Sequence, residues 1–270
     1  MIDHLLQLLI CERFMTDVRY REGHLRVVNA LPERRVLGLH SPEIKAVAKQ
    51  LSREGREVVL PDGTHQNCAN GAEVIGAFEA MPSECLCYEE TVIWGYLINL
   101  EKCSLDERLA MLTRYVPVLD NWAVCDSYCA HAKWMVRADK EVLWAFLERW
   151  FDSEREFEVR FAVVVAMCYF LHEEWLDKVF ERINRFDFGR IKSKYNTVKG
   201  KPKMAQQGTV QGVEPYYVRM GVAWLLATAL AKFPDQTRAF VRSSNLPEDV
   251  VKLYIRKARE SFRTRTVEAM

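Results

Sequence analysis

The sequence predicts an all-α protein made of helical-pair repeats, stacked as an α-α superhelix (a solenoid) with a concave face. Three observations lead there. From Pro82 onward, six consecutive segments place apolar residues at i, i+3 or i+4, and i+7, the period of an amphipathic helix. Strand signals are scarce. The helices also come in pairs, whose first members begin near residues 83, 118 and 155, then near 214 after an interruption. The steps are about 35, 37 and, with the interruption removed, 33 residues, as in a solenoid of helix pairs. A decorated four-helix bundle has no reason to keep such a step.

Taken in order, residues 2–16 read as a helix and 17–36 as an irregular arm carrying Arg19, Arg21, Arg26, Arg34 and Arg35. Ser41-Pro42-Glu43 puts a capping residue ahead of a proline at the first helical position, and the helix through Ile44, Val47, Ala48 and Leu51 stops at Gly55. Residues 56–72 are turn-rich, with room for a short hairpin. Helices follow over 83–100, 105–117, 118–136, 139–151, 155–171 and 173–186. Ser104 to Glu107 and Ser153 to Glu156 read as capping boxes. Pro117, Asp120 and Asn121 open the helix that runs to Trp134. Residues 187–213 interrupt the pattern as a basic surface loop. A mostly apolar helix follows Pro215, then a short one over 235–243, and a basic one opens at Pro247-Glu248-Asp249.

With 270 residues, 49% of them hydrophobic, the chain can bury a substantial core. No apolar run approaches 18 residues, so no membrane span is expected. The N-terminus carries Asp3 and Glu12 and lacks a basic leader region, so it reads as a first helix without a signal peptide, and a cytoplasmic protein is expected. The eight cysteines fit no paired CxxC arrangement and read as reduced, mostly buried thiols. The six histidines form no HExxH, and GxGxxG, GxxxxGK[ST] and GxSxG are all missing. No metal or cofactor is expected.

The net charge of +1 hides a division. Residues 182–270 hold 18 Lys and Arg against 7 Asp and Glu, whereas residues 1–181 hold 20 against 30. A basic third in an otherwise acidic chain suggests a phosphate-bearing partner, although a solvated face or a contact to the acidic part would give the same count. In the interruption the basic residues are Arg190, Lys192, Lys194, Lys199, Lys201 and Lys203. In the last helix they include Arg256, Arg259 and Arg263. Both sets are candidate DNA contacts.

Trp122 and Asp126 form the sharpest chemical pairing. At i and i+4 an indole and a carboxylate sit one turn apart on one helix face. Such a carboxylate can stabilise developing positive charge, and the aromatic face attracts a cation. A tryptophan in a packing seam, its rim solvated by an aspartate, is the plainer alternative.

Five segments in order, VLGLHSPEIKAVAKQL, YEETVIWGYLI, SLDERLAMLTRYVPVLDNWAVCDSYC, EFEVRFAVVVAM and YYVRMGVAWLLATALAKFP, resemble the HEAT-like-repeat alkylpurine DNA glycosylases of the AlkD type, the DNA alkylation repair enzymes. The resemblance spans about residues 36–265, without 56–80 and the basic insertion, and implies one repair domain over 1–270. It implies catalytic roles for Asp126, Trp122 and Trp224 and a DNA-backbone contact for Arg160. It further implies a monomer acting on duplex DNA with 3-methyladenine or 7-methylguanine, the lesion staying largely stacked. A non-catalytic binder of damaged or branched DNA and a protein-interaction solenoid are the alternatives.

Overall fold

The computed structural model describes residues 2, 6–7, 9–198, 201–204 and 214–270, and for 196–198 and 201–204 the backbone alone. It is an all-α protein, with thirteen α-helices and two small hairpins among the described residues. The chain divides into two units, Met1–Ala138 and Asp139–Met270.

In the first unit, helix α1 (Glu12–Thr16) leads into α2 (Val18–Val28), where an irregular arm was expected. Asp17 accounts for the difference: its side chain accepts the N–H of Tyr20 at 2.9 Å and caps the helix, which ends at Asn29 in the left-handed region. Helix α3 (Ser41–Glu54) has His40 as its N-cap, the proline in its first turn and Gly55 as its stop. Gly55 has φ +59, and a Cβ there would run into the backbone of Cys68 and Ala69, so only glycine fits. Strands β1 (Arg56–Val59) and β2 (His65–Cys68) form the antiparallel hairpin, with Val59 opposite His65.

Helices α4 (Gly71–Glu79), α5 (Tyr88–Leu100), α6 (Leu105–Tyr115) and α7 (Trp122–His131) complete the unit. Helix α5 is buried on nearly every side, as a central helix must be, and packs against α3, α4, α6 and α7. Gly95 lets Tyr115 approach closely, and the Tyr115 hydroxyl donates to the Thr91 carbonyl at 3.1 Å. The box at Ser104 and Glu107 forms as expected, and a second one, Cys87 with Glu90, opens α5. The single helix read from Pro117 to Trp134 is shorter, flanked by 3-10 turns at 116–118 and 133–136.

The second unit holds α8 (Lys140–Phe151), α9 (Glu156–Tyr169), α10 (Glu173–Asn184), strands β3 (Tyr195–Val198) and β4 (Lys201–Met204), then α11 (Tyr216–Lys232), α12 (Pro234–Ser243) and α13 (Glu248–Glu260). Helix α9 packs on α8 and α11, and α11 on α12 and α13. The expected box at 153–156 does not form. Ser153 instead donates to Glu158 at 2.7 Å, and Glu156 turns inward to other partners. Helices α5, α7 and α9 begin at residues 88, 122 and 156, a step of 34 each time, and within each unit the first helices of successive pairs are neighbours.

Candidate active site

Helix α7 buries Val124, Cys125, Tyr128 and Cys129 along one stripe. Trp122 and Asp126 fall outside that stripe by helical angle, and both are only half-buried. Both side chains are thus partly within reach of solvent. The start of the helix is fixed from elsewhere in the unit. Asn121, fully buried, caps α7 through its side-chain oxygen on the Ala123 N–H at 2.7 Å. Its amide donates to the carbonyls of Val28 at 2.7 Å and Asn29 at 3.1 Å. Beside it Asp120 pairs with Arg34 at 2.6 Å, and the same guanidinium donates to the carbonyls of Ser83 and Leu86 at 2.5 and 2.7 Å. The arm after α2 thus fixes the start of the helix that carries Trp122 and Asp126.

That arm is itself held by α5. The carboxylate of Glu89, buried, accepts the N–H groups of Leu37, Gly38 and Leu39, and Glu90 accepts those of Ile2 and Cys87. Burial raises both carboxyls, against the pull of these donors.

In the second unit Arg160 lies inward on α9. It is 4% exposed, and it donates to the Tyr217 carbonyl at 2.5 Å with its guanidinium over the Tyr217 ring. Arg160 is engaged in holding the first turn of α11. Glu156, one turn earlier on α9, accepts the Tyr217 N–H at 2.6 Å and the Ser193 hydroxyl. Burial pushes the Glu156 carboxyl up to about 7, opposed by those two hydrogen bonds and the charge of Arg160.

Two turns along α11, Trp224 is 38% exposed and lines a groove with Lys257 and Arg263, so the structure brings Trp224 and Arg263 together. Arg190 and Lys192 lie on Glu154 at 3.6 and 2.6 Å, exposed but paired. Lys194 is exposed. Lys199 lies outside the described residues, as do the side chains of Lys201 and Lys203. On α13, Arg256 and Arg259 are exposed, and Arg256 meets Glu260 at 3.6 Å. Sequence reasoning gave no site role to Asn121, Glu156 or Phe262. The first two are short polar residues at helix starts, where capping chemistry was the only visible signal.

The described part of the chain is an all-α fold that carries a half-exposed indole and carboxylate one turn apart on one anchored helix. The family model of the DNA alkylation repair enzyme matches residues 88–186, from α5 through α10. The matched segment contains Trp122, Asp126 and Arg160. Trp224 and the basic α13 lie beyond it. No curated protein matches the chain, and no solved structure does.

Proposed function

We propose that the protein is a DNA glycosylase that hydrolyses the N-glycosidic bond of cationic alkylated purines, 3-methyladenine and 7-methylguanine, in duplex DNA. The observation that carries this reading is Asp126 one turn from Trp122 on α7, both within reach of solvent, inside the segment matched to DNA alkylation repair enzymes. Alkylation at N3 or N7 leaves the purine positively charged and therefore a good neutral leaving group, so no acid is required to protonate it. What remains is positive charge developing on the sugar as the C1′–N bond breaks, and a water to capture it. A carboxylate fixed beside the sugar stabilises that charge and orients the water. Asp126 takes that role, and Trp122 offers an electron-rich face to the cationic base. Trp224, on its own unit, offers DNA a second aromatic face. The contacts to phosphate are assigned to exposed cations, Arg190, Lys192, Lys194, Arg256, Arg259 and Arg263. Arg160 is assigned to positioning α11.

Release of free 7-methylguanine or 3-methyladenine from methylated duplex DNA, measured under single-turnover conditions, tests the reading. Tight duplex binding with no release of either base would leave a non-catalytic DNA-binding protein.

A further inference from the structure

The C-terminal part of the second unit holds two exposed aromatic rings among cations, more than a phosphate contact requires. Trp224 lines a groove of about 470 Å³ between α11 and α13, with Lys257, Glu260, Ser261 and Arg263 on the α13 side. In the chain between Ser261 and Arg263 stands Phe262, 81% exposed, with the Arg265 guanidinium 4.6 Å from its ring centre. The turn that presents it is fixed. Thr264 is buried and donates its hydroxyl to the Ala258 carbonyl at 2.8 Å. The N–H groups of Thr264 and Arg265 return to the Ser261 carbonyl at 3.1 and 2.8 Å. Glu260 is the acid lining the groove, and it is already engaged by Lys257 at 2.9 Å and Arg256 at 3.6 Å. The balance along the groove is cationic.

A phenylalanine held in water by an ordered turn marks a contact surface, and its neighbours define the partner. Arginines and a lysine interleaved with aromatic rings match a nucleic-acid strand, whose phosphates alternate with flat bases. Within undamaged duplex DNA the base faces are already stacked, so Phe262 meets no open base face there. The geometry points to a site for unpaired nucleotides. Lys257 and Arg263, on the groove that Trp224 lines, take the phosphates, and a base extends the stack that Arg265 and Phe262 already form. The inference deepens the DNA-repair reading and rests on it for the nature of the ligand.

Fluorescence anisotropy with labelled oligodeoxythymidine and with a blunt duplex tests it, for the whole chain and for Phe262→Ala and Phe262→Trp. Phe262→Ala weakens single-strand binding roughly tenfold, the loss expected for one stacked base, and Phe262→Trp restores it. Duplex affinity, carried by phosphates, stays within about twofold. Single-strand affinity indifferent to Phe262 overturns the inference. So does concentration-dependent association of the protein in sedimentation that Phe262→Ala abolishes while single-strand affinity is unchanged, because the ring would then meet a second copy of the chain. Release of 7-methylguanine, measured alongside, separates the two readings. Release by the unaltered protein with indifferent single-strand binding overturns only the unpaired-nucleotide site. Single-strand binding that depends on Phe262, without release, supports the site and overturns the glycosylase reading.

Discussion

Arg160 holds Tyr217 by its main chain: the guanidinium donates to the Tyr217 carbonyl at 2.5 Å, while Glu156, one turn earlier on α9, accepts the N–H of the same residue at 2.6 Å. Both polar groups of one backbone residue are thus satisfied by an oppositely charged pair at i and i+4. Removing the guanidinium leaves a buried carbonyl without this donor and Glu156 without its nearest cation. Arg160→Ala is expected to destabilise the second unit by roughly 2–4 kcal/mol, seen in urea unfolding. If instead stability is unchanged and only DNA affinity falls, Arg160 contacts phosphate directly.

Asp126→Asn keeps the volume of the side chain and removes its charge. Excision under single-turnover conditions should fall by two to four powers of ten, corresponding to roughly 3–5 kcal/mol of transition-state stabilisation. The circular dichroism spectrum and duplex affinity should be nearly unchanged. A folded variant that excises at the original rate would remove Asp126 from the mechanism.

Asn121 does two things at once, and two substitutions separate them. Asn121→Asp retains an oxygen to cap α7 but loses the amide that donates to Val28 and Asn29. Asn121→Ala loses both. If the tie to the arm matters most, thermal unfolding should show both variants destabilised, by about 1–3 kcal/mol. A marginal effect of Asn121→Asp would mean that capping is the dominant contribution.

The pH dependence of stability follows from Glu156. Its folded value, about 7, is raised from the ordinary 4.5 by burial. The native state therefore holds a proton that the unfolded chain has lost, and stability declines as pH rises from about 4.5 to about 7. The contribution is fully present below the unfolded value and lost above the folded one. Glu89 and Glu90, raised by burial as well, push in the same direction. Glu156→Gln, which resembles the protonated form, should flatten urea midpoints measured between pH 5 and 8. A wild-type midpoint that rises across this range would contradict the assignment.

Duplex affinity should fall steeply with salt, since each neutralised phosphate releases counterion. Arg190 and Lys192 share Glu154, so Glu154→Gln should free them and strengthen binding a few-fold at low salt. Unchanged affinity in anisotropy titrations would exclude both cations from the interface.

The helices from Tyr88 onward were legible because apolar periodicity and capping are local, and the pairing of Trp122 with Asp126 follows from helical spacing alone. Helix α2 was missed because its capping residue, Asp17, was read as part of an arginine-rich arm. The box expected at Ser153 failed for a long-range reason: Glu156 finds partners 37 and 61 residues away, and local capping cannot compete with them. The inward partner of Arg160 was equally out of sight, since no local pattern tells an arginine aimed at a phosphate from one aimed at a carbonyl 57 residues on. The tie from Asn121 to Val28, across 93 residues, is invisible to any periodicity.

One carboxylate, that of Glu156, binds Ser193 through one oxygen and Tyr217 through the other. The two ends of the stretch between those residues therefore meet at a single side chain, with Tyr195 packed beside it on Phe157 and Tyr217. The closure entropy of such a stretch rises only logarithmically with its length. Residues can be added to it or removed from it at small cost while α11, with Trp224 two turns along, stays where Glu156 and Arg160 hold it. The junction at Glu156, with Arg160 one turn on, thus sets the register of α11 and of the aromatic face it carries.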